Sequence, residues 1–407
     1  MTSDKLSGAR EMNTPYSETI AWPGWPRDET DLEYDKRARL LPNTESRARL
    51  YRSERQWAKI QPWLQSQGYM LRPRFRPGWI PSWKMKEKVD LDWCEDAIDH
   101  TNSGADVTMD AIRISDGCHV CLKRIPCRAE DSTEVAITQF LSQDEQRKDP
   151  RNHAIPLLDL IQAPDHCFMV LPFCRSLMHH FPLFETVGEV FDMVEQALEG
   201  LEYLHGLNIA HRDISIANIM MDPDRIFPRG FHMDSDDQDT RGRELSGLRS
   251  RTRVGGVKYY IIDFGESMKV GPDESVLIDV WSKAAIHAPE TLEPDRPPYD
   301  PFKADIYTMG SSLKYLTVQD YEPYFDMLSP LFDTMMAEDP SGRPSASAVL
   351  EQFRAIKRTY SRTALHGRIR THKYNYESKL ENEVERVFRD TWHWTKQCIF
   401  AVLNLKW

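Results

Sequence analysis

The sequence predicts an α+β fold, with short strands gathered in its first two thirds and helices filling most of the rest. Three observations carry this. Residues 110–125 (DAIRISDGCHVCLKRI) alternate on either side of Asp116-Gly117, and a tight hairpin turn needs the positive φ that such a pair supplies. Residues 190–209 (VFDMVEQALEGLEYLHGLNI) repeat apolar side chains three and four apart, the period of a helix with one buried face. Beyond a strand and turn at 258–267 (KYYIIDFGES), the chain reads as mostly helical to about residue 360. With 407 residues, 40% of them hydrophobic, the chain can bury the core of one large domain or two ordinary ones.

In chain order, residues 1–50 lack sustained apolar periodicity and are expected to be largely disordered or loosely attached. Residues 51–67 read as a short amphipathic helix. The next stretch, GYMLRPRFRPGWIPSW (68–83), holds three prolines, three arginines and two tryptophans. Its prolines keep it extended. A strap whose aromatic side chains pack on a domain surface is the favoured reading, and a peptide- or RNA-binding surface is the alternative. After the hairpin, EVAITQFL (134–141) switches to helical spacing and HCFMVLPF (166–173) is a buried-strand run. Residues 223–255 turn polar, first acidic (DSDDQD) and then arginine-rich (RGRELSGLRSRTR), and read as a loop or disordered insert. A basic tail begins at 361, with a helix expected at 377–390. The domain reading is therefore an extension over 1–95, a folded body over 96–360 and a tail over 361–407.

Net charge is −11, unevenly spread: the first ninety residues carry +5, residues 361–407 carry +4, and the middle −20. An acidic centre argues against nucleic acid as the main partner. It fits a basic peptide only weakly, since an acidic solvated surface explains it equally. The seven cysteines follow no framework spacing; Cys118 and Cys121 form the only close pair and lack a second pair to complete a zinc site. The first thirty residues hold no apolar signal segment, and the final apolar run, CIFAVLNL, has eight residues where a membrane span needs about twenty. No membrane association is expected, and a reducing intracellular compartment, cytoplasmic or nuclear, is the default.

Seven short motifs stand in a fixed order. They are VCLK ending at Lys123, Glu134 opening the next helix, HRDISIANIM (211–220), DFG (263–265), APE (288–290), DIYTMG (305–310) and DPSGRPSA (339–346). Each is weak alone; together, over about 260 residues, they resemble the eukaryotic protein kinase superfamily. The wider run, with the Arg/Pro/Trp stretch upstream and the long insert after HRDIS, resembles fungal (basidiomycete) kinase-like proteins. The resemblance covers roughly 100–358 and implies a bilobal fold, with a small β-rich N-terminal lobe and a mostly helical C-terminal lobe. It further implies ATP and Mg²⁺ as cofactors and a protein as substrate.

Residue by residue, the resemblance implies that Lys123 contacts the α- and β-phosphates and pairs with Glu134, Glu130 being the runner-up. Asp213 becomes the base or orienter of the acceptor hydroxyl, while Asn218 and Asp263 become Mg²⁺ ligands through hard oxygens. Leu171, Phe173, Cys174 and Gly104 are candidates to contact the nucleotide. His211, Arg212 and Asp305 would organise the catalytic loop, and Arg343 would form a buried ion pair with Glu290.

The chain departs from the family in three places. The glycine-rich loop is reduced to TNSGADVT (101–108), with Gly104 its single glycine, so backbone N–H groups lose close approach to phosphates. Ser215 stands where serine/threonine kinases place a lysine, and Ala217 where tyrosine kinases place an arginine. A lost charge-assisted hydrogen bond of about 1.5–3 kcal/mol implies a rate penalty of roughly ten- to a hundredfold. Only 38 residues separate Asp305 from Arg343, which trims the substrate-docking region. The expected function is a protein kinase, serine/threonine by preference, with a pseudokinase scaffold and a small-molecule kinase as alternatives. Ser246 and Thr252 in the insert, each with an arginine three residues before it, are candidate regulatory phosphosites.

Overall fold

The computed structural model describes residues 20–25, 31–85, 90–98, 107–178, 183–271, 276–280, 282–292, 295, 297–321, 323–370 and 383–404. Gly104 and its neighbours lie outside the described residues. Helices α1 (Asp31–Arg39) and α2 (Asn43–Arg47) precede α3 (Arg52–Ser66). Much of 31–50 is thus helical, over Asp31–Arg39 and Asn43–Arg47, rather than disordered. The difference lies in long-range ties: Arg74 donates to the carbonyls of Arg47 and Arg49, an anchor that local periodicity cannot reveal. Helix α3 shows the expected amphipathic face, with Trp57, Ile60, Trp63 and Leu64 buried.

The strap contributes more than a surface packing. Its Tyr69–Leu71 forms strand β1, which pairs antiparallel with β2 (Thr108–Arg113), Tyr69 opposite Arg113. Strand β3 (His119–Ile125) follows through the Asp116-Gly117 turn, where Gly117 has φ +73°. Helices α4 (Thr133–Leu141) and α5 (Asp144–Arg147) come next, then β4 (Asp159–Gln162) and β5 (Cys167–Pro172). The five-stranded antiparallel sheet runs β1-β2-β3-β5-β4. Both of its faces are covered. Val120, Leu122, Phe168 and Val170 pack with α3, while Met169 and Leu171 turn toward the other core. Each such buried side chain stabilises by about 1.5–3 kcal/mol, so α3 is an integral layer of this lobe.

The second lobe is mostly helical. Strand β6 (Arg175–Ser176) leads to α6 (Val187–Gly206), β7 (Ile209–Ala210), β8 (Ile219–Met221), β9 (Tyr259–Ile261) and β10 (Met268–Lys269). Then come α7 (Pro301–Lys314), α8 (Ser329–Met335), α9 (Ala346–Arg358) and α10 (Arg362–Leu365). Helix α6 is the centre of the core: Phe191, Val194, Leu198 and Leu201 are fully or almost fully buried. Its Gly200 lies so close to β9 that a Cβ there would sit 2.7 Å from Ile261 Cδ1. The architecture is the expected bilobal α+β one.

The segment between β8 and β9 holds neither helix nor strand, but it is packed rather than disordered. Phe227, Phe231, His232, Arg251 and Val254 are all buried within it. Helix α11 (Glu383–Asn404) lies later than the helix expected at 377–390; residues 371–382 lie outside the described ones. Its His393 and Gln397 are buried, with His393 Nε2 donating to the His366 carbonyl at 2.8 Å. Among the described residues, no helix is long and apolar enough to cross a membrane.

Candidate active site

Between the lobes lies a cavity of about 700 Å³, whose lining includes Cys121 and Lys123 of β3, Glu134 of α4, and Leu171, Phe173 and Cys174 at the end of β5. Alternation along β3 explains the first two: Val120 and Leu122 enter the core against α3, so Cys121 and Lys123 face the cleft. Ser132 caps α4 by accepting the Val135 amide proton, which sets Glu134 in the first turn. Lys123 Nζ donates to Glu134 Oε1 at 2.5 Å and to Asp263 Oδ1 at 2.8 Å. Glu130 instead pairs with Arg128 at the surface. Burial opposes the charge on Lys123, but the two carboxylates outweigh it and hold the ammonium above its usual range. At Asp263 burial is likewise outweighed by Lys123, and the carboxyl lies below its usual value. Burial, only partly offset by the shared cation, pushes Glu134 upward.

The loop from His211 to Asn218 is held by one buried carboxylate. Asp305, 1% exposed on α7, accepts the amide protons of His211 at 2.8 Å and Arg212 at 2.7 Å, and lies 3.1 Å from His205 Nε2. These bonds fix Arg212 at φ +66°, a backbone state that costs a non-glycine residue about 1–3 kcal/mol. Asp263 is the second such residue in the site, at φ +64°. His211 Nε2 donates to the Ile262 carbonyl at 3.0 Å, tying the loop to the DFG turn. Asn218 Nδ2 donates to the Asp213 carbonyl at 2.8 Å and to its Oδ2 at 3.0 Å. The β8–β9 pairing, Ile219 opposite Ile261, places Asn218 and the residues leading to Asp263 at the same end of adjacent strands.

Farther down, Arg343 is fully buried and donates to both Glu290 oxygens at 2.7 Å. It also reaches the carbonyls of Ala337 and Lys303. Ser215 is 3% exposed, and its Oγ has no hydrogen-bond partner among the described residues.

Sequence reasoning missed the part of the cleft wall built by the insert. Phe231, Met233 and Asp234–Asp236 line the cavity. Phe231 stacks on Phe173 with ring centroids 4.5 Å apart, and Phe173 stacks on His119 at 3.9 Å. Arg175 donates to the Asp236 carbonyl at 2.8 Å and lies over the Phe231 ring. From the strap, Arg72 Nη2 reaches Asp234 at 2.6 Å while its Nε reaches Asp110 on β2 at 2.8 Å. The run IFPRGFH (226–232) in an otherwise polar insert was the available signal: two phenylalanines there must be buried somewhere.

With this geometry in place, comparison with known proteins is informative. The protein kinase domain family matches residues 103–327, more than half of the chain, and the chain belongs to that family. It is similar to the serine/threonine-protein kinase pakG of Dictyostelium discoideum, 24% identical over 247 residues, or 57% of this chain and 19% of that protein. It is 25% identical over 177 residues to mitogen-activated protein kinase kinase kinase 5 of Arabidopsis thaliana, 41% of this chain and 22% of the relative. The serine/threonine-protein kinase PLK1 of Xenopus laevis is 23% identical over 211 residues, 50% of this chain and 33% of its own length. The chain thus spans about a fifth to a third of these relatives.

Proposed function

We propose that this chain is a protein kinase that transfers the γ-phosphoryl group of ATP to a hydroxyl of a protein, serine or threonine by preference. The observation that carries this reading is Lys123 bonded at once to Glu134 and Asp263 inside the interlobe cavity. In transfer, the acceptor oxygen forms a bond to the γ-phosphorus. The bond from that phosphorus to the β,γ-bridging oxygen breaks, and its electron pair leaves on ADP. Asp213 orients the acceptor hydroxyl and takes up its proton, and Asn218 holds that carboxylate in place. Lys123 orients the α- and β-phosphates. Leu171, Phe173 and Cys174 receive the base.

The donor set suits Mg²⁺. Asp263 and the side-chain oxygen of Asn218 are hard ligands, and the Asp263 side chain is 44% exposed toward the cleft. Among the described residues no group of three or more His, Cys, Asp or Glu could hold a metal by itself. Held by Asp263 and Asn218 against bound ATP, such an ion would supply positive charge to the phosphates.

The enclosed, uncharged Ser215 favours a second reading, a pseudokinase that binds nucleotide with little transfer. Thermal shift with ATP and Mg²⁺, followed by mass spectrometry of autophosphorylation, separates the two. The kinase reading expects millimolar ATP·Mg²⁺ to raise the melting temperature, Asp263→Ala to abolish the metal-dependent part, and phosphate to appear on the protein. Stabilisation without phosphate sustains the pseudokinase reading, and the absence of both removes nucleotide chemistry from this site.

For regulation, Ser246 is the better candidate of the two phosphosites. It is exposed and accepts a bond from Arg229 at 2.6 Å, so a phosphate there gains a cation. Thr252 donates its amide and hydroxyl protons to Glu189, each at 2.8 Å, and a phosphate there meets a carboxylate.

A further inference from the structure

We propose that Lys283 supplies the cation that the catalytic loop lacks, contacting the γ-phosphoryl group as it transfers. The inference rests on the kinase reading above and asks which side chain replaces the missing charge. The loop itself offers none: Ser215 is enclosed and short, and Ala217 carries no charge. Two other cations lie close but are engaged. Lys123 is shared between Glu134 and Asp263. Arg212 turns away, donating to the carbonyls of Glu266 at 3.0 Å and Val280 at 2.6 Å.

Lys283 is different. The chain on either side of it is pinned to the catalytic loop: Ser282 Oγ donates to the Arg212 carbonyl at 2.8 Å, and Ala285 N donates to Asp213 Oδ1 at 2.9 Å. Its own amide donates to Glu266 Oε2 at 3.2 Å, one residue past the DFG glycine. Three hydrogen bonds therefore hold the Lys283 backbone beside Asp213 and the DFG turn. The side chain is exposed, and its Nζ has no hydrogen-bond or ion-pair partner among the described residues. A four-carbon stem with a rotatable ammonium suits a point charge delivered to a phosphoryl oxygen. Two carboxylates compete for it, Glu266 and Asp213; pairing with Asp213 in place of phosphate makes Lys283 a restraint on the base.

The test uses the full chain, with autophosphorylation and dephosphorylated casein as readouts and ATP as the varied substrate. Lys283→Met keeps the stem and removes the charge. It is expected to lower kcat roughly ten- to a hundredfold, with KM for ATP within about threefold and an unchanged melting temperature, while Lys283→Arg retains most activity. Ser215→Lys is expected to recover at least about tenfold in the Lys283→Met background and to gain much less in the wild type, the non-additivity of two groups serving one contact. A Lys283→Met chain with wild-type kcat overturns the proposal and leaves the kinase reading intact. So does one with raised kcat, which makes Lys283 a restraint, or a loss that Ser215→Lys fails to recover. A wild-type chain showing neither ATP·Mg²⁺ stabilisation nor turnover overturns the kinase reading and this proposal with it.

Discussion

Asp305 carries more of the site than its distance from the chemistry suggests, since one carboxylate satisfies two successive amides and faces a histidine. Asp305→Asn presents an NH₂ group toward at least one of those donors. It is expected to destabilise by at least about 2 kcal/mol, the scale of a lost charge-assisted bond in a buried place, and to lower activity because Arg212 loses what fixes its positive φ. Urea unfolding and a kinase assay check both, and an unaltered denaturation midpoint counts against the account. Cys121 gives a second prediction at this scale. Burial pushes its thiol up to about 12, so almost no thiolate is present at neutral pH. Cys118 and Cys398 are exposed and are expected to react with maleimide well before Cys121, as intact-mass and peptide mapping at pH 7.5 will report. The cluster of Lys123, Glu134 and Asp263 was legible in the sequence because each member sits in a short local motif. The placement of Lys283 beside the loop was not, because it belongs to no motif and only the ties of Ser282 and Ala285 bring it there.

Among the elements, those with strong internal periodicity were readable in advance. The hairpin of β2 and β3, helix α4 and helix α6 each carry their own pattern, and all fall where the pattern places them. Strand β1 does not: three residues in a Pro- and Arg-rich strap hold too little alternation, and only the pairing with β2 defines them. Arg72, next to β1, joins the strap to β2 and to the insert. Its partners Asp110 and Asp234 each have side chains 3% exposed, so Arg72→Ala leaves two buried carboxylates without their cation, a change that costs about 3–5 kcal/mol in comparable pairs. The pH dependence has a definite sign. Burial raises the Asp110 carboxyl, but Arg72 and then His119 outweigh it and hold it far below the carboxylate range. A depressed carboxyl contributes stability that is fully present above the unfolded value of about 3.9 and is lost as pH falls below that toward the folded value. Between pH 7 and 5 the gap between wild type and Arg72→Ala is therefore expected to be constant, and below about pH 4 to shrink. A gap that widens on acidification contradicts this assignment of the clasp.

At the scale of the molecule, the insert between β8 and β9 links the lobes from the side of the cleft, and its role follows from what it buries rather than from its composition. An acidic half followed by an arginine-rich half reads as solvated linker when each residue is taken alone. In the fold, Asp234 is bonded to Arg72, the carbonyls of Ser235 and Asp236 receive Arg175, Phe231 stacks on Phe173, and Arg251 reaches the Tyr259 hydroxyl at 2.9 Å. Deleting 229–253 shortens the loop, and a shorter loop closes at lower entropic cost, so β8 and β9 are still expected to pair. The same deletion uncovers one face of Phe173, takes from Arg175 the carbonyls of Ser235 and Asp236, and takes Asp234 from Arg72, which keeps Asp110. Losing one buried aromatic alone costs about 3–5 kcal/mol, and stranded ionic groups add to it, so a net loss on the order of 5 kcal/mol is expected despite the entropic gain. The cleft wall formed by Phe231 and Met233 goes with it, and the stabilisation by ATP·Mg²⁺ should change as well as the melting temperature. Calorimetry with and without nucleotide distinguishes the two contributions: a deletion that leaves both transitions where they were makes the segment a linker after all, and one that shifts both makes it a structural wall of the nucleotide cleft.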